Sequence, residues 1–502
     1  MSATRPAAVV VLAAGGGTRM KSATPKVLHT LGGRSLIGHA LVAARETEPD
    51  HVVVVVGHDR DRVVEHVSVE DPMAVIADQD DTPGTGRAVE CGLAVLPEDL
   101  VGTVVVTMGD TPLLSGHALR DLTAGHVATG CAATVITATL DDPTGYGRIL
   151  RDDGGAVVGN VEHKDATAEQ LAITEVNSGI YAFDAATLRA TLPRVGNDNS
   201  QAERYLTDVL AIIHKDGGRV GAHRLDDTWQ TEGVNDRVQL ARLGAEYNRR
   251  IVERWMRAGV TVIDPATTWL DADVTLGVDV TIHPNTQIHG ASTIGSDVVI
   301  GPDTTLTDVE IGDGATVVRA QGTLAVVGAG ATVGPFAYLR AGTTVGVHGK
   351  IGAFVETKNA QLGAGAKVPH LSYVGDAEIG AGSNIGAGTI FANYDGAEKH
   401  RTTVGRHAKT GANNTFVAPV EIGDGATTGG GTVVRRDVPP GSLAVSTGPQ
   451  RNIDGWVERK RPDSAAAKAA ARGNGSRRAS MSSGGSSRSH SATRRSCRWM
   501  KP

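Results

Sequence analysis

The apolar positions up to about residue 230 form short runs of β-branched residues separated by longer segments with a helical spacing. Alternation of strand and helix patterns is typical of a mostly parallel sheet that is covered by helices. We therefore predict an α/β, Rossmann-like domain over residues 1–236. The predicted strands are Ala8–Leu12, Val52–Val56, Val104–Thr107, Thr134–Ala138 and Ile180–Phe183.

A different pattern begins after this domain. Apolar residues from Val238 to Met256 recur at helical spacing, which predicts a linking helix over 237–259. Beyond it, aliphatic residues recur every six positions, as from Leu276 to Leu306 and from Val327 to Ile351, and glycine often follows them. A period of six fits a unit of one short strand and one corner, and the pattern resembles the hexapeptide left-handed parallel β-helix. We predict this fold over 260–457.

The period of six is interrupted twice, between Leu306 and Val327 and between Phe391 and Val404. Both interruptions predict loops that leave the triangular prism of the β-helix. Loops on a rigid scaffold are where binding sites are usually built.

Charge is distributed unevenly along the chain. The 502 residues carry a net charge of −6, but the segment from Arg459 to the end has 12 Lys and Arg against one acidic residue. The rest of the chain is therefore strongly acidic, which disfavours nucleic acid as a partner. The Ser-rich segment 458–502 has few large apolar residues and is predicted to be disordered, either as a solvated terminus or as an arm for nucleic acid or another acidic partner.

Cysteine usage and hydropathy indicate the compartment. Cys91, Cys131 and Cys497 are far apart, so neither a disulfide framework nor a zinc cluster is indicated. The longest aliphatic runs are much shorter than the ~18 residues of a membrane span. We expect a cytoplasmic protein without a membrane span.

A glycine-rich turn follows the first predicted strand. Gly15–Gly17 can bring backbone amides close to phosphate oxygens, and Arg19 and Lys26 add positive charge. The glycines alone are equally consistent with a simple tight turn. With Arg19 and Lys26 at these spacings, the segment resembles the signature of sugar nucleotidyltransferases.

Two further residues are candidates for a metal site. Asp110 follows an apolar strand, the position at which α/β sheets bind ligands, and a carboxylate there suits Mg²⁺. Asn235 in Gly233-Val234-Asn235 resembles the second metal-ligand motif of that family. The alternatives are a turn-forming role for Asp110 and a helix N-cap role for Asn235.

Cations and amides cluster in the repeat region around His370, which lies in a break of the spacing. A lone histidine is often structural, but here the neighbours suit a sugar phosphate. Histidine titrates near neutral pH, so His370 can accept a proton from an attacking amine.

From about Val9 to Trp456 the chain resembles the bacterial family of bifunctional N-acetylglucosamine-1-phosphate uridylyltransferases and glucosamine-1-phosphate N-acetyltransferases. The segment from Val438 to Trp456 is similar to the actinobacterial members in particular. The resemblance implies synthesis of UDP-N-acetylglucosamine, an envelope precursor, in two steps. The C-terminal site acetylates glucosamine-1-phosphate with acetyl-CoA, and the N-terminal site transfers UMP from UTP to the product and releases pyrophosphate.

The resemblance also implies roles for individual residues, with Mg²⁺ as cofactor. In uridylyl transfer Arg19 and Lys26 are catalytic, and Asp110 and Asn235 bind the metal. The nucleotide and its sugar contact Leu12, Ala13, Ala14, Gly15, Lys26, Gln79, Gly84, Thr85, Gly147, Glu162, Asn177 and Asn235. In acetyl transfer His370 is the proton acceptor, and the remaining contacts are Arg340, Lys358, Tyr373 and Asn384 for glucosamine-1-phosphate, and Ala387, Asn393, Tyr394, Ala412 and Arg435 for acetyl-CoA.

Some positions depart from the family pattern. Thr82-Pro83 and Arg87 replace Pro-Leu and His near the uridine segment, and Ala412–Asn414 replaces Ser-Asp-Thr on the acetyl-CoA side. We still expect both activities and, as the resemblance implies, a homotrimer with acetyl sites between subunits. Two alternatives are a uridylyltransferase whose β-helix only trimerises the chain, and a regulatory subunit without activity.

Overall fold

The computed structural model describes residues 5–446, 448 and 450–471. Residues up to Val445 form one compact unit, and the segment from Ser446 belongs to a second. In the first unit the N-terminal strands are β1 Ala8–Leu12, β2 Thr30–Leu31, β3 Arg34–Ser35, β4 His51–Val56, β5 Val75–Asp78, β6 Thr103–Met108, β7 Ala133–Thr139, β8 Arg148–Arg151, β9 Val157–Val161, β10 Glu175–Asp184 and β11 Val220–Arg224. The helices are α1 Leu36–Arg45, α2 Arg60–Glu70, α3 Thr85–Ala94, α4 Gly116–Thr129, α5 Ala168–Leu171, α6 Ala185–Thr191, α7 Asp208–Lys215 and α8 Arg237–Arg257.

The main sheet has the order β11-β7-β10-β6-β1-β4-β5, with the β8–β9 hairpin attached to β10. Its pairs are parallel except where β10 lies antiparallel to β6 and β7. Successive residues of β1 point to opposite faces, and both faces are covered by helices: Val9 and Val11 pack in one apolar cluster, Val10 and Leu12 in the other. This arrangement confirms the predicted Rossmann-like fold class.

Helix α8 joins the sheet domain to the repeats. The side chain of Asp236 caps its start by accepting a hydrogen bond from the Gln239 amide at 2.8 Å. Further along the helix the buried Asn248 donates to the Thr268 carbonyl at 2.7 Å and accepts from the Leu270 amide at 2.9 Å. Both amide groups of Asn248 are therefore satisfied by the first coil of the repeats, which fixes the helix against that coil.

The repeat strands form a left-handed parallel β-helix, as predicted. One face consists of Thr261–Val262, Thr281–Ile282, Val299–Ile300, Thr316–Val317, Thr332–Val333, Lys350–Ala353, Lys367–His370, Thr427–Thr428 and Leu443–Ala444. The other two faces form a continuous sheet of 17 strands. These are Thr268–Leu270, Thr275–Leu276, Thr286–His289, Thr293–Ile294, Thr304–Thr307, Glu310–Ile311, Ala320–Thr323, Ala325–Val327, Ala337–Leu339, Thr343–Val345, Glu356–Leu362, Tyr373–Ile379, Ile390–Ala392, Thr402–Val404, Thr415–Val417, Val420–Ile422 and Val433–Val434. The aliphatic residues of the six-residue pattern are buried in one continuous core.

One of the two predicted loops is present and the other is not. Between Ala392 and Thr402 the chain leaves the prism in an exposed loop, as predicted. Between Leu306 and Val327 the coil continues, so that prediction was wrong. There Ile294 pairs with Ile311 and Ile311 with Val327, which gives shorter coils of 17 and 16 residues.

In the second unit the structure has a helix at Trp456–Lys460 and a helical stretch at 465–471. The start of the segment predicted to be disordered is therefore ordered, and its remainder, 472–502, lies outside the described residues. Among the helices that the structure describes, none has the length and apolar character needed to cross a membrane.

Candidate active sites

A cleft of about 750 Å³ opens at the carboxyl ends of β1, β4, β5 and β6. Parallel sheets bind ligands at this edge, as the strand pattern predicted. Of the residues proposed from the sequence for the nucleotide, the cleft is lined by Leu12, Ala13, Ala14, Gly15, Lys26, Gln79, Gly84, Thr85 and Asp110.

The glycine-rich turn lies beside two cations, of which Lys26 lines the cleft and Arg19 does not. Gly17 has a left-handed backbone with φ of +56°, and a Cβ atom there would lie 2.5 Å from Cβ of Lys26. Glycine is therefore needed both for the turn and for the close approach of Lys26. The turn continues into a short 3₁₀ helix, Thr18–Met20, which carries Arg19.

Four polar side chains meet at the mouth of the cleft. The Arg19 guanidinium donates to Oδ1 of Asn235 at 2.8 Å, and Nζ of Lys26 lies 3.5 Å from the same oxygen. Lys26 also forms an ion pair with Asp110, and both side chains are less than one-fifth exposed. The Asp110 carbonyl accepts from the Val234 amide at 2.9 Å, which holds the two segments together.

The four residues come from three segments that are far apart in the sequence. The structure thus assembles Arg19, Lys26, Asp110 and Asn235 into one cluster. It also excludes the alternative role of Asn235 as the N-cap of α8, because the capping side chain is that of Asp236.

The segment expected to recognise uracil is a compact loop between β5 and α3. Nε2 of Gln79 donates to the Thr82 carbonyl at 3.0 Å and to the Gly84 carbonyl at 3.3 Å. The hydroxyl of Thr85 accepts from the Leu206 amide at 3.0 Å. Gly84 has φ of +118°, and a Cβ there would lie 2.3 Å from the Arg204 carbonyl oxygen, so only glycine fits.

Gly147, Glu162 and Asn177 lie beside the cleft, around the β8–β9 hairpin, and do not line the 750 Å³ volume itself. The Asn177 amide donates to the Gly147 carbonyl at 3.0 Å, which brings these two residues together. Burial raises the pKa of Glu162, whose carboxylate accepts from Asn160 at 3.0 Å. Tyr146, next to Gly147, has a pKa that burial raises and that the nearby Asp110 raises further.

In the β-helix a cluster of cations lies at one corner of the prism. Nη1 of Arg340 donates to Glu356 at 2.9 Å. The ammonium of Lys399, which belongs to the loop after Ala392, lies against Lys358 and lowers the pKa of that lysine. Asn393, also in this loop, is hydrogen bonded to Asp376. Three cations therefore lie near two acidic side chains, those of Glu356 and Asp376. This excess of positive charge suits an anionic ligand.

His370 lies at a different corner, in a column with Ala387 and Ala412. The carbonyls of these three residues accept from the amides of the next coils, at 3.2, 2.7 and 2.8 Å respectively. The His370 side chain is exposed, and no hydrogen bond to its imidazole occurs within the described part of the chain. It is thus accessible as a proton acceptor.

The other proposed acetyl-site residues are spread over the prism. The Tyr373 hydroxyl and the Asn393 amide both crowd Gly375, since a Cβ there would lie 2.4 and 2.7 Å from them. Asn384 pairs with Lys367 and Lys409 on another face. The hydroxyl of Tyr394 donates within its own loop at 2.7 Å, and Arg435 is exposed. One chain therefore does not gather all of these residues in a single pocket.

Sequence reasoning missed three residues at these sites. His58 and Glu203 line the nucleotide cleft, and Lys399 joins the cation cluster. Lys399 lies in the predicted loop, so its charge was a usable signal. His58 and Glu203 are in segments without any recognisable spacing.

The fold and the cleft define a nucleotidyltransferase domain joined to a left-handed β-helix. Residues 9–172 match the family of MobA-like NTP transferase domains. The chain is 61% identical over 469 residues to the bifunctional protein GlmU of Kineococcus radiotolerans, which covers 93% of this chain and 95% of that protein. It is 60% identical over 467 residues to the GlmU of Paenarthrobacter aurescens, covering 93% and 94%. For the GlmU of Mycolicibacterium vanbaalenii the identity is 61% over 468 residues, covering 92% and 95%.

The chain belongs to the GlmU family. It is a bifunctional transferase of UDP-N-acetylglucosamine synthesis, with uridylyltransferase and acetyltransferase activities, and its substrates include a nucleotide and acetyl-CoA. The alternatives of a purely structural β-helix and of an inactive regulatory subunit are not supported.

Proposed function

We propose that the cleft at the sheet edge transfers UMP from UTP to N-acetylglucosamine-1-phosphate, and that the prism acetylates glucosamine-1-phosphate with acetyl-CoA. The observation that carries the first assignment is the cluster of Arg19, Lys26, Asp110 and Asn235 at the mouth of a nucleotide-sized cleft. We also propose the domain boundaries 1–236, 237–259, 260–457 and 458–502 for these functions.

The uridylyl transfer needs positioning and charge neutralisation. A phosphate oxygen of the sugar phosphate attacks the α-phosphorus of UTP, and the bond to the pyrophosphate oxygen breaks. The attacking oxygen is already anionic, so no general base is required. Arg19 and Lys26 neutralise charge on the phosphates, Gln79, Gly84 and Thr85 hold the uridine, and Gly147, Glu162 and Asn177 hold the sugar.

The donor set of the cluster fits Mg²⁺. The ion prefers oxygen ligands and is usually bound by one or two protein groups together with substrate phosphates. Asp110 offers a carboxylate, and Oδ1 of Asn235 already faces two cations, Arg19 and Lys26. These two oxygens would hold Mg²⁺, which when bound supplies further positive charge at the transferring phosphate.

In the acetyl transfer His370 accepts the proton of the 2-amino group. The amine nitrogen bonds to the thioester carbonyl carbon, the carbon–sulfur bond breaks, and the CoA thiolate leaves. Arg340 and Lys358 bind the phosphate of glucosamine-1-phosphate, and Tyr373 and Asn384 bind its sugar. Acetyl-CoA contacts Ala387, Asn393, Tyr394, Ala412 and Arg435.

A homotrimer is supported by an exposed apolar column on the prism, formed by Phe336, Phe354 and Leu371. The two Phe rings stack with centroids 5.2 Å apart, and the three residues are 53%, 59% and 60% exposed. All three have left-handed backbones, with φ of +59°, +57° and +51°, which is costly for bulky residues. Two further copies of the chain would cover this column and bring the separated acetyl-site residues together.

A cytoplasmic location is proposed because UTP and acetyl-CoA are cytoplasmic metabolites. The described cysteines Cys91 and Cys131 are free thiols, which is consistent with a reducing compartment.

Asp110→Asn tests the assignment of the cleft. The variant should lose at least 100-fold in pyrophosphate release from UTP and N-acetylglucosamine-1-phosphate at saturating Mg²⁺, because a charged ligand is replaced by a neutral one. Thiol release from acetyl-CoA should stay within twofold of the native value. Asp99→Asn is the control, since this exposed acid precedes β6, whereas Asp110 follows it, and Asp99 does not line the cleft. Equal loss of both activities, or native pyrophosphate release, would contradict the assignment.

A further inference from the structure

The loop at the uridine end of the cleft is fastened by a chain of four alternating charges, Asp80, Arg87, Glu90 and Arg204. Nη2 of Arg87 donates to Asp80 at 2.6 Å, and its Nε lies 3.2 and 3.1 Å from the two carboxylate oxygens. Nη1 of Arg87 donates to Glu90 at 2.6 Å, and the same Glu90 oxygen accepts from Arg204 at 2.7 Å. Two arginines thus share one carboxylate, and a second carboxylate completes the chain.

The two ends of this charge chain belong to two different segments that line the cleft. Asp80 is the second residue of the loop 79–84, and Arg204 follows Glu203, which lines the cleft from the segment 192–206. Arg204 also binds this segment through its side chain, at 3.1 Å to the Val195 carbonyl and 2.6 Å to the Leu192 carbonyl. The charge chain therefore connects the loop to a second wall that has its own anchors.

Backbone hydrogen bonds also connect the loop to Arg204. The Arg204 amide donates to the Pro83 carbonyl at 3.1 Å, and the Arg204 carbonyl accepts from the Gly86 amide at 2.8 Å. These bonds hold the C-terminal end of the loop. Among the described contacts, the N-terminal end, at Asp80, is connected to the segment 192–206 only through Arg87.

The ion pairs of the charge chain are strong enough to hold the loop in place. The side chains of Arg87, Glu90 and Arg204 are 28%, 26% and 18% exposed, so water screens the two pairs of Glu90 less than an ordinary surface pair, whereas Asp80 at the end of the chain is 47% exposed and is held by three hydrogen bonds from Arg87. The hydrogen bonds from Arg87 lower the pKa of Asp80 to about 2, so this carboxylate is charged at every pH at which the enzyme would be assayed. Networks of partly buried, charge-assisted bonds hold a loop in one geometry.

We propose that Arg87 is a positioning residue for uridylyl transfer. Arg87 holds Asp80, and with it Gln79 and the rest of the loop, in the geometry that receives the uridine of UTP. A loop fixed before the nucleotide arrives avoids the entropy cost of ordering on binding. The inference rests on the proposed assignment of this cleft to UTP.

Arg87→Gln tests the proposal in the full-length protein. It should raise KM for UTP about tenfold and leave kcat within about twofold, because the loop must then be ordered by the nucleotide itself. KM for N-acetylglucosamine-1-phosphate and the rate of thiol release should be unchanged. The preference for UTP over CTP should also fall, because a loop that is no longer held in one geometry rejects cytosine less strongly than the native loop does.

Three further variants separate the explanations. Arg60→Gln is the matched control. Arg60 pairs with Asp78 at the end of β5, the strand that precedes the loop 79–84, but Arg60 does not line the cleft. Asp80→Asn removes the other partner and should reproduce the phenotype, and the double variant with Arg87→Gln should add nothing further. Asp80→Asn also keeps the test decisive if Arg87→Gln does not fold. Gln79→Ala reports on the cleft itself.

The outcomes are distinguishable. A raised KM for UTP in Arg87→Gln and Asp80→Asn, with native values for Arg60→Gln, supports the proposal. Native KM in both variants together with a raised KM in Gln79→Ala overturns the role of Arg87 and leaves the cleft assignment intact. Native KM in all of them overturns the cleft assignment as well, and additive effects in the double variant overturn the coupling.

Discussion

At the scale of single residues, the nucleotide cleft depends on charges that compensate one another before any substrate binds. Lys26 and Asp110 form an ion pair, and Arg19 and Asn235 form a hydrogen bond of 2.8 Å beside it. Lys26 is the cation closest to the carboxylate, so its removal leaves Asp110 without its partner and the phosphates without a counter-charge. Replacing Lys26 should therefore change the rate of the reaction more than the free energy of unfolding.

Lys26→Ala should lower kcat/KM for uridylyl transfer by 100-fold or more, because loss of one preorganised charge at a transition state costs about 3 kcal/mol. Acetyl transfer should not change. The measurement is pyrophosphate release at several UTP concentrations, with Lys215→Ala as the control at an exposed lysine of α7. A variant that retains a tenth of the native activity would show that Lys26 is not part of the reacting site.

A second residue-scale prediction concerns His39 in α1. Burial lowers the pKa of His39 to about 4, and its ring lies edge-on to Tyr247 of α8, with centroids 4.8 Å apart. The unfolded chain binds this proton with a pKa near 6.5, so the folded state loses stability as the pH falls from 6.5 towards 4. By pH 5 the loss from this group is about 2 kcal/mol.

His39→Gln should remove that part of the pH dependence. The urea midpoint of unfolding should fall less between pH 7 and pH 5 in the variant than in the native protein. His117→Gln, at a histidine whose side chain is 75% exposed, should behave like the native protein. Equal pH dependence in native and His39→Gln proteins would refute the assignment.

At the scale of elements, four of the five strands predicted in the first domain were located to within a residue at each end, for example Val52–Val56 as β4, His51–Val56, whereas β10 begins five residues before its predicted start. The linking helix begins at the predicted residue 237 and ends at Arg257, two residues before the predicted end. The wrong loop between Leu306 and Val327 has a physical reason. Gly322 takes the inward position opposite Leu306, and the coils there are shorter, so the period of six is lost although the prism continues.

The site was predictable to a smaller extent. Asp110 was found because it follows a strand and strand ends converge at one sheet edge, and Lys26 was found from its spacing after the glycine-rich turn. Contacts that fasten the loops of the cleft, such as the pair of Glu90 and Arg204, have no spacing signal because they join residues 114 positions apart. Long-range contacts of this kind are visible only after the chain has folded.

The turn before α3 gives an element-scale prediction. Gly84→Ala should raise KM for UTP more than tenfold, because a Cβ with φ of +118° must push the Arg204 backbone out of the loop contact. Gly196→Ala in the facing segment is the control, since nothing lies within 4 Å of its Cβ position. Steady-state kinetics of pyrophosphate release measures the effect, and a native KM in Gly84→Ala would contradict the importance of this turn.

At the scale of the whole molecule, two chemistries share one chain but use different parts of it. Within the unit that ends at Val445, α8 and the buried Asn248 fasten the nucleotide domain to the first coil, while the acetyl-site residues lie many coils further along. Most of the residues proposed for the nucleotide line one cleft of a single chain. The residues proposed for acetyl transfer lie apart on the prism, with the cations at one corner, His370 at another and Asn384 on a further face, so this activity should depend on assembly.

The double substitution Phe336→Ser and Phe354→Ser should therefore lower the mass in solution from a trimer towards a monomer and abolish thiol release. Pyrophosphate release should persist within a few-fold. Light scattering coupled to gel filtration gives the mass, and Val69→Ser, at an apolar residue that is 78% exposed in the nucleotide domain, is the control. Full thiol release from a monomer would show that one chain suffices.

The most direct test of two independent sites compares His370→Ala with His348→Ala, since both histidines are exposed on the prism. Thiol release from acetyl-CoA and glucosamine-1-phosphate, and pyrophosphate release from UTP and N-acetylglucosamine-1-phosphate, are measured on the same preparations. His370→Ala should lose thiol release by at least 100-fold and keep native pyrophosphate release, while His348→Ala keeps both. Native thiol release in His370→Ala, or a parallel loss of pyrophosphate release, would contradict the account.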